Sequence, residues 1–294
     1  MHPAPSVIIF TALSGLGFGL LTWLGFGFPE VSGATAFAMF FVAFALAAGG
    51  LLASTFHLGN PQRALKAFSQ WRSSWLSREA VLAVASLGVM GLYAIGLIFL
   101  NSTWQLLGGI GGALSITTVF STSMIYAQMK TVPRWRMPLT PVLFLTYALG
   151  GGALLAGQVL TASLLLLALS VLQLISWKLG DRRFAQAGST IETATGLGFL
   201  GRVRLLEKPH SGSNYLMREM VHVVGRKHAL KLRGIALLTL GIIPAALLLV
   251  LPFNHIIAVA AVASHLLGLF AARWLFFAEA EHVVGLYYDQ RRVG

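Results

Sequence analysis

Residues 35–56 of the chain are TAFAMFFVAFALAAGGLLASTF, and residues 57–79, HLGNPQRALKAFSQWRSSWLSRE, follow directly. The first stretch carries no charged side chain and is close to the roughly 20 apolar residues that cross a bilayer as a helix. Because lipid offers the backbone no hydrogen-bond partners, an apolar run of this length is expected to be helical. The second stretch holds the basic residues Arg63, Lys66, Arg72 and Arg78. This alternation of an apolar run with a basic connection decides the fold.

The same alternation recurs along the whole chain. Apolar runs predict membrane-spanning helices at about 6–28, 35–56, 80–101, 106–128, 139–157, 159–178, 234–252 and 256–278. Short gaps make neighbouring helices antiparallel, and residues 178–233 form the one sizeable polar insert. The sequence therefore predicts an all-α, polytopic integral membrane protein. Its single membrane-anchor domain, 1–294, is expected to be an antiparallel bundle of about eight transmembrane helices with one long cytoplasmic loop.

Lys and Arg are almost confined to every second gap between these runs. The basic gaps are 57–79, 129–137 and 178–233, and the C-terminal tail is basic as well. The other gaps contain no Lys or Arg, and they are 29–34, 101–105, 156–159 and 252–255. In polytopic membrane proteins the connections rich in Lys and Arg stay in the cytoplasm. The pattern therefore predicts a bacterial inner-membrane protein whose N- and C-termini and basic loops are cytoplasmic.

Composition narrows the classes of function. The chain is 56% hydrophobic and only 10% charged, whereas soluble domains carry about 25% charged residues. Its net charge of +12 is expected to set topology and to attract anionic lipid or an acidic partner rather than nucleic acid. Because the chain has no cysteine, it cannot form a thiolate zinc site or its own iron–sulfur cluster. Any metal cluster in its pathway is expected in another subunit.

Few ionisable groups fall in the predicted spans, where such groups are costly and usually functional. His57 ends the second span, Glu79 begins the third, Arg63 lies between them and Arg273 lies in the eighth. In the predicted topology all four reach the cytoplasmic edge of the membrane. A quinone headgroup needs donors for its carbonyl oxygens and a group that exchanges protons. We therefore expect these four residues to bind quinone, with His57 and Glu79 as the catalytic, proton-exchanging pair.

Each of these residues also has a structural interpretation. Glu79 can cap the third helix, because carboxylates favour helix N-termini. Arg273 can snorkel or pair with Glu279, and His57 can bond the backbone of the turn that follows it. His265 lies deeper in the eighth span, where such a residue more often bonds a neighbouring helix. Because its depth does not match that of His57, a pair of axial ligands is not formed and haem is not expected.

Several motifs resemble those of one family. Residues 57–64, HLGNPQRA, with SRE downstream at 77–79, resemble the His-Leu-Gly-x-Pro-x-Arg-Ala … Ser-x-Glu segment of the DMSO reductase membrane-anchor family (the DmsC type). Residues 265–277, HLLGLFAARWLFF, resemble its eighth-helix pattern. Further similarities follow in the same order and fall at 131–135 (TVPRW), 140–141 (TP) and 150–152 (GGG). The resemblance therefore runs through nearly all of the spans.

The resemblance implies a role that composition does not indicate. Such anchors are one subunit of a three-part molybdoenzyme, beside a large subunit with a molybdopterin centre and a ferredoxin-like subunit with iron–sulfur clusters. They hold both partners at the membrane and exchange electrons with a quinone, ubiquinone or menaquinone, and they do not normally bind haem. By match to the family motifs, His57, Arg63 and Glu79 fall in the quinone-site region, and Arg273 is the eighth-helix arginine.

The sequence departs from the DMSO reductase pattern in two ways. There the counterpart of 57–79 faces the periplasm, whereas the charge bias here places it in the cytoplasm. The insert 178–233 is also absent from the enteric type. Both features resemble the anchor of the cytoplasmic sulfite dehydrogenase branch (the SoeC type). The resemblance implies a quinone-reducing anchor whose molybdopterin and iron–sulfur partners dock on the cytoplasmic face and oxidise sulfite to sulfate.

Three alternatives stay open. The same fold can carry the opposite electron flow, as the quinol-oxidising anchor of a DMSO reductase-type enzyme. The chain can also be an ion or solute transporter without a redox partner, although its spans lack a chain of midplane carboxylates and the paired broken helices typical of transporters. The third alternative is a purely structural anchor that binds no quinone.

Overall fold

The computed structural model describes residues 1–57, 60–207, 214–220 and 228–288, without the side chains of His57 and Pro61. This part of the chain folds into helices joined by turns and loops, which confirms the predicted all-α fold of a polytopic membrane protein. The apolar helices are α1 Pro5–Gly25, α2 Gly33–Ala53, α3 Trp75–Phe99, α4 Gln105–Ala127, α5 Leu139–Leu155, α6 Val159–Gln186, α7 Ala229–Val250 and α8 His255–Ala278. Seven of them are long and apolar enough to cross a membrane, and α5, with 17 residues, is shorter.

The start of α3 differs from the sequence prediction. The helix begins at Trp75 rather than near 80, so Glu79 lies inside it. The guanidinium group of Arg78 explains the difference, because it donates to the carbonyl oxygens of Trp71 (3.0 Å) and Arg72 (2.6 Å). It also lies 4.3 Å from the ring centre of Trp75. These contacts stabilise a polar first turn that hydropathy alone does not assign to the helix.

The insert between α6 and α7 is shorter than the predicted range 178–233. Helix α6 continues past 178 to Gln186, and α7 begins at Ala229. The basic ends of both helices thus extend the helical backbone beyond its apolar part. The described residues between them include the helix Ile191–Thr195, the 3₁₀ turn Gly198–Leu200 and the π-helical turn Leu216–Met220.

Helix α1 lies at the centre of the bundle. It packs against α2, α4 and α5 and also contacts α8, while α3 packs on α4, and α6 packs on α5 and α7. One hydrophobic core lies mainly among α1–α4 and a second mainly among α5–α8. Where α1 meets α5, a Cβ atom on Gly19 or on Gly152 would overlap the backbone of the opposite helix. Small residues therefore set the distance between the two halves of the bundle.

One side of the bundle, here called the loop face, gathers the N-terminus, the described residues that follow α8 and the connections after α2, α4 and α6. The amino group of Met1 donates to the carbonyl of Ala280 (2.7 Å), and the amide of Val283 donates to the carbonyl of Thr131 (2.9 Å). Burial, together with the nearby charge of the N-terminal amine, lowers the pKa of His282. This imidazole is therefore mostly neutral near pH 7.

Candidate functional site

Glu79 is buried inside the bundle. The residue is 4% exposed, and its carboxyl group accepts a hydrogen bond from the hydroxyl of Thr122 on α4. Because α3 begins at Trp75, Glu79 lies beyond the first turn, where a capping carboxylate would sit. The capping interpretation is therefore wrong. A carboxyl group held between two membrane spans is costly and marks a candidate functional position.

Tyr126 connects Thr122 to a group of aromatic rings. The two residues are four positions apart on α4 and share one helix face. The ring centre of Tyr126 lies between 5.2 and 5.7 Å from those of Trp135, Phe144, Phe276 and Phe277. The indole N–H of Trp135 also donates to the carbonyl of Phe276 at 2.9 Å. These five rings, the aromatic cluster, join α4, α5, α8 and the α4–α5 connection.

Arg273 of α8 meets the same aromatic cluster. The residue is 3% exposed, and its guanidinium carbon lies 3.9 Å from the ring centre of Phe144 and 4.5 Å from that of Tyr147. Such cation–π contacts offset part of the cost of burying the charge. Phe144 lies against both Arg273 and Tyr126. Tyr126 stands one turn along α4 from Thr122, which donates to Glu79. Glu79 and Arg273, which are distant in sequence, therefore lie in the same region inside the bundle.

A small cavity of about 30 Å³ lies beside Arg273, between α5, α6 and α8. Its wall includes Tyr147 and Gln173, and the phenol of Tyr147 donates to the side-chain oxygen of Gln173 at 2.6 Å. The Nε atom of Arg273 is buried and has no hydrogen-bond partner within the part of the chain that the structure describes. A cavity of this size has room for water but not for a quinone ring. Arg273 therefore offers a donor to a small polar group.

An ion cluster closes the bundle at the loop face. Glu279, directly after α8, accepts from Nη2 of Arg134 and from Nε of Arg233, each at 2.7 Å. Asp181 of α6 accepts from the same two arginines, at 2.8 Å from Arg134 and 2.6 Å from Arg233. The cluster links the α4–α5 connection with α6, α7 and the end of α8. Among the described residues, Glu279 pairs with these arginines and not with Arg273, so the predicted alternative pairing is wrong.

The predicted site residues lie in different surroundings. Glu79 and Arg273 are both buried. Arg273 packs on Phe144 of the aromatic cluster, and Glu79 bonds Thr122, one turn along α4 from Tyr126. Arg63 is exposed on the 3₁₀ helix Pro61–Phe68 of the α2–α3 connection, which packs against α3. The backbone of His57 ends the 3₁₀ helix Ser54–His57, and its side chain lies outside the described structure. The geometry therefore groups Glu79 with Arg273, and the other two residues remain predictions.

The buried His265 hydrogen-bonds the backbone carbonyl of Leu240 in α7. Pro244, four residues after Leu240, has no N–H and cannot supply the usual helical hydrogen bond to that carbonyl. The segment Leu238–Ile242 is π-helical, and Nδ1 of His265 on α8 lies 2.7 Å from the Leu240 oxygen. Because a carbonyl oxygen only accepts, Nδ1 must carry the proton. The interpretation that His265 bonds a neighbouring helix is confirmed.

The sequence alone does not identify Thr122, Tyr126 or the ion cluster as parts of the site. Two weak signals point to them: Thr122 and Tyr126 stand four residues apart in the fourth span, and Asp181 and Glu279 are acidic residues at the ends of spans. Within the described ranges, no group of three or more His, Asp or Glu is arranged to hold a metal ion. The candidate site is therefore a set of buried ionisable, hydroxyl and aromatic groups.

The residues of this candidate site lie in a part of the chain that is similar to known proteins. The family described as DMSO reductase anchor subunit (DmsC) matches residues 1–277. The chain is also similar to one of the subunits of the sulfite dehydrogenase of Allochromatium vinosum. The two are 33% identical over 325 aligned positions, which cover 98% of this chain and 99% of the relative. No solved structure matches the chain. Glu79, Thr122, Tyr126 and Arg273 all lie within the part that the family matches.

Proposed function

The chain belongs to the DMSO reductase anchor subunit (DmsC) family, and from this premise we propose that it is the membrane-anchor, quinone-reducing subunit of a three-subunit molybdoenzyme. The full-length similarity to a subunit of a sulfite dehydrogenase makes that enzyme the proposed one. In this role a molybdopterin subunit oxidises sulfite, and an iron–sulfur subunit delivers the electrons to the anchor. The anchor passes them to ubiquinone or menaquinone in the bilayer.

The buried carboxyl group of Glu79 is the observation that carries the proposal. Oxidation of sulfite to sulfate by water releases two electrons and two protons, and reduction of a quinone to a quinol takes up the same number of each. A carboxyl group that is held in place can exchange a proton with the reacting molecule. The hydroxyl of Thr122 holds Glu79 from α4. Glu79 therefore fits the proton-exchanging role that quinone reduction requires.

The proposal gives different roles to the other predicted residues. Arg63 lies on the connection beside α3, and with His57 it is proposed to donate hydrogen bonds to the quinone carbonyl oxygens. Arg273 is proposed as a positioning residue, because the cavity beside it has room for water and not for a ring. Its guanidinium group packs on Phe144, which also contacts Tyr126. Tyr126 stands one turn along α4 from Thr122, the partner of Glu79.

Charge supports docking of the partner subunits at the loop face. The connections that open there carry the basic residues, and the positive-inside rule assigns such a face to the cytoplasm. We therefore propose that the chain is an inner-membrane protein with both termini and its partners on the cytoplasmic side. Reporter fusions after residues 254 and 294 are expected to report opposite sides of the membrane. A C-terminus that reports the periplasm would remove the argument for a cytoplasmic enzyme.

The function is tested on the purified, intact complex. Sulfite serves as donor with a soluble quinone analogue as acceptor, and quinol with DMSO measures the opposite direction. Sulfite-dependent quinone reduction is the expected result, and partner subunits separated from this chain should still reduce an artificial acceptor but not quinone. Quinol-dependent DMSO reduction without sulfite activity would overturn the substrate and the direction. Purification of a stable chain with no partner subunit would instead favour a transporter.

A further inference from the structure

A groove with a volume of about 390 Å³ runs along the outside of the bundle between α5 and α6. Aliphatic side chains form its wall, and Val142, Ile175 and Leu179 are 44%, 42% and 50% exposed. In a bundle that crosses a membrane, such an outward-facing aliphatic surface contacts acyl chains rather than water. The groove is therefore shaped and lined for a hydrocarbon chain.

At one end of the groove lies the guanidinium group of Arg183, which has an unused hydrogen-bond donor within the described part of the chain. Arg183 and Gln186, from the last two turns of α6, line that end. Nη2 of Arg183 donates to the backbone carbonyl of Arg136 at 2.9 Å, which holds the side chain at the α4–α5 connection. Its Nε atom is buried and finds no hydrogen-bond partner among the described residues. A guanidinium group prefers to use its donors on a phosphate or carboxylate.

The depth of Arg183 matches that of a lipid headgroup. Helix α6 has 28 residues, and at about 1.5 Å per residue it is longer than the roughly 30 Å hydrocarbon layer. Its apolar part ends near Trp177, so the last turns lie at the level of the headgroups. The exposed residues Arg136 and Lys178 add positive charge to the same end. A neutral ligand, such as a quinone, would not neutralise this positive charge.

We propose that the groove between α5 and α6 binds one anionic phospholipid, with an acyl chain along Val142, Ile175 and Leu179 and the phosphate on Arg183. Basic pockets between membrane helices on the cytoplasmic side are known to select anionic headgroups. The aliphatic wall explains why the ligand is a lipid rather than a free phosphate. This site lies outside the candidate quinone site, so it does not depend on the proposed function.

Native mass spectrometry of the purified protein, with its co-purifying subunits, tests the site. The protein is exchanged from nanodiscs of phosphatidylglycerol or of phosphatidylcholine, and retained lipid is counted. Arg183→Gln is expected to lower phosphatidylglycerol retention about fivefold, and the neighbouring exposed Arg182→Gln serves as the matched control. Leu179→Trp fills the groove without changing charge and should also lower retention.

Three outcomes would overturn the proposal. The first is equal retention of phosphatidylcholine and phosphatidylglycerol by the wild-type protein. The second is an equal loss for Arg182→Gln and Arg183→Gln, which would indicate a diffuse charge effect rather than a site. The third is displacement of phosphatidylglycerol by inorganic phosphate alone, which would show that the groove contributes nothing. Melting curves of the variants check that each protein is folded, and if Arg183→Gln fails to fold, Leu179→Trp alone tests the site.

Discussion

The hydroxyl of Thr122 on α4 donates a hydrogen bond to the carboxyl group of Glu79 on α3, between two helices that cross the membrane. On the same face of α4, one turn further along, Tyr126 enters the aromatic cluster that also receives Arg273. One face of α4 therefore links the buried carboxyl group of Glu79 to the aromatic cluster that contacts the buried Arg273. Substitutions can test whether the Thr122–Glu79 bond affects quinone reduction, and whether other contacts of the bundle affect its stability.

Thr122→Val removes the donor to Glu79 while keeping the size and branching of the side chain. An interhelical hydrogen bond in a membrane is worth about 1–2 kcal/mol, so the loss of stability should be small. A displaced carboxyl group should lower the turnover number for quinone reduction by up to about 100-fold. The measurement is sulfite-dependent quinone reduction beside reduction of an artificial acceptor. Thr122→Ser keeps the hydroxyl and should behave as wild type, and equal loss in both variants would contradict the role of the bond.

Glu279 and Asp181 of the ion cluster are expected to differ in their contributions to stability. The Glu279 side chain is 6% exposed and that of Asp181 is 46% exposed. Glu279→Gln leaves Arg134 and Arg233 with one fewer buried partner and should cost roughly 3–5 kcal/mol. Asp181→Asn removes an exposed partner and should cost at most about 1 kcal/mol.

The ion-cluster variants are compared by thermal unfolding in detergent at low and high salt. The exposed Glu30, on the opposite face of the bundle, gives the control variant Glu30→Gln. Salt should reduce the effect of Asp181→Asn more than that of Glu279→Gln, because exposed charges are screened and buried ones much less so. Equal effects of both variants at all salt concentrations would mean that burial does not decide the strength of this cluster.

The contact between α1 and α5 is expected to tolerate no added methyl group at Gly19. A Cβ atom there would overlap the backbone of Ala148, whereas one at Gly15 on the same helix meets open space. Gly19→Ala should therefore destabilise the protein by about 1–3 kcal/mol. Gly15→Ala should be neutral or stabilising by up to about 1 kcal/mol, because alanine favours helix. Unfolding temperatures of the two variants check this, and an equal shift would refute the proposed close approach.

His265 and Pro244 should be energetically coupled through the carbonyl of Leu240. His265→Leu leaves that carbonyl without its interhelical donor and should cost roughly 0.6–2 kcal/mol. In a Pro244→Ala background the new N–H can bond Leu240 within α7, so the same change should cost less. A double-mutant cycle on unfolding free energies measures the coupling. Additive effects of the two substitutions would mean that His265 does not replace the bond that proline removes.

The membrane fold could be predicted because hydropathy decides which segments leave water. The ends of the helices could not, because polar contacts fix them. Arg78 holds the start of α3 through the carbonyl oxygens of Trp71 and Arg72, and hydropathy contains no information on those bonds. The same limit applies to α6, whose last turns are helical but too polar to be counted with the apolar run.

The candidate site could be predicted only where a residue stands out in its own segment. Glu79 and Arg273 do so because ionisable side chains are rare in apolar runs. Thr122 and Tyr126 do not, because Thr and Tyr are ordinary residues of membrane helices, and their role depends on how α3, α4 and α8 pack. The ion cluster joins Arg134 to Glu279 across much of the chain, so a sequence without the fold gives no reason to pair them.

Proton exchange at Glu79 is tested by the effect of Glu79→Gln on the intact complex. Sulfite-dependent reduction of a quinone analogue is measured beside reduction of an artificial acceptor, with Glu30→Gln as the matched control. Quinone turnover is expected to fall by about 10²–10⁴-fold, with artificial-acceptor activity and the control unchanged. Quinone turnover by Glu79→Gln equal to that of wild type would mean that this buried carboxyl group does not exchange the proton.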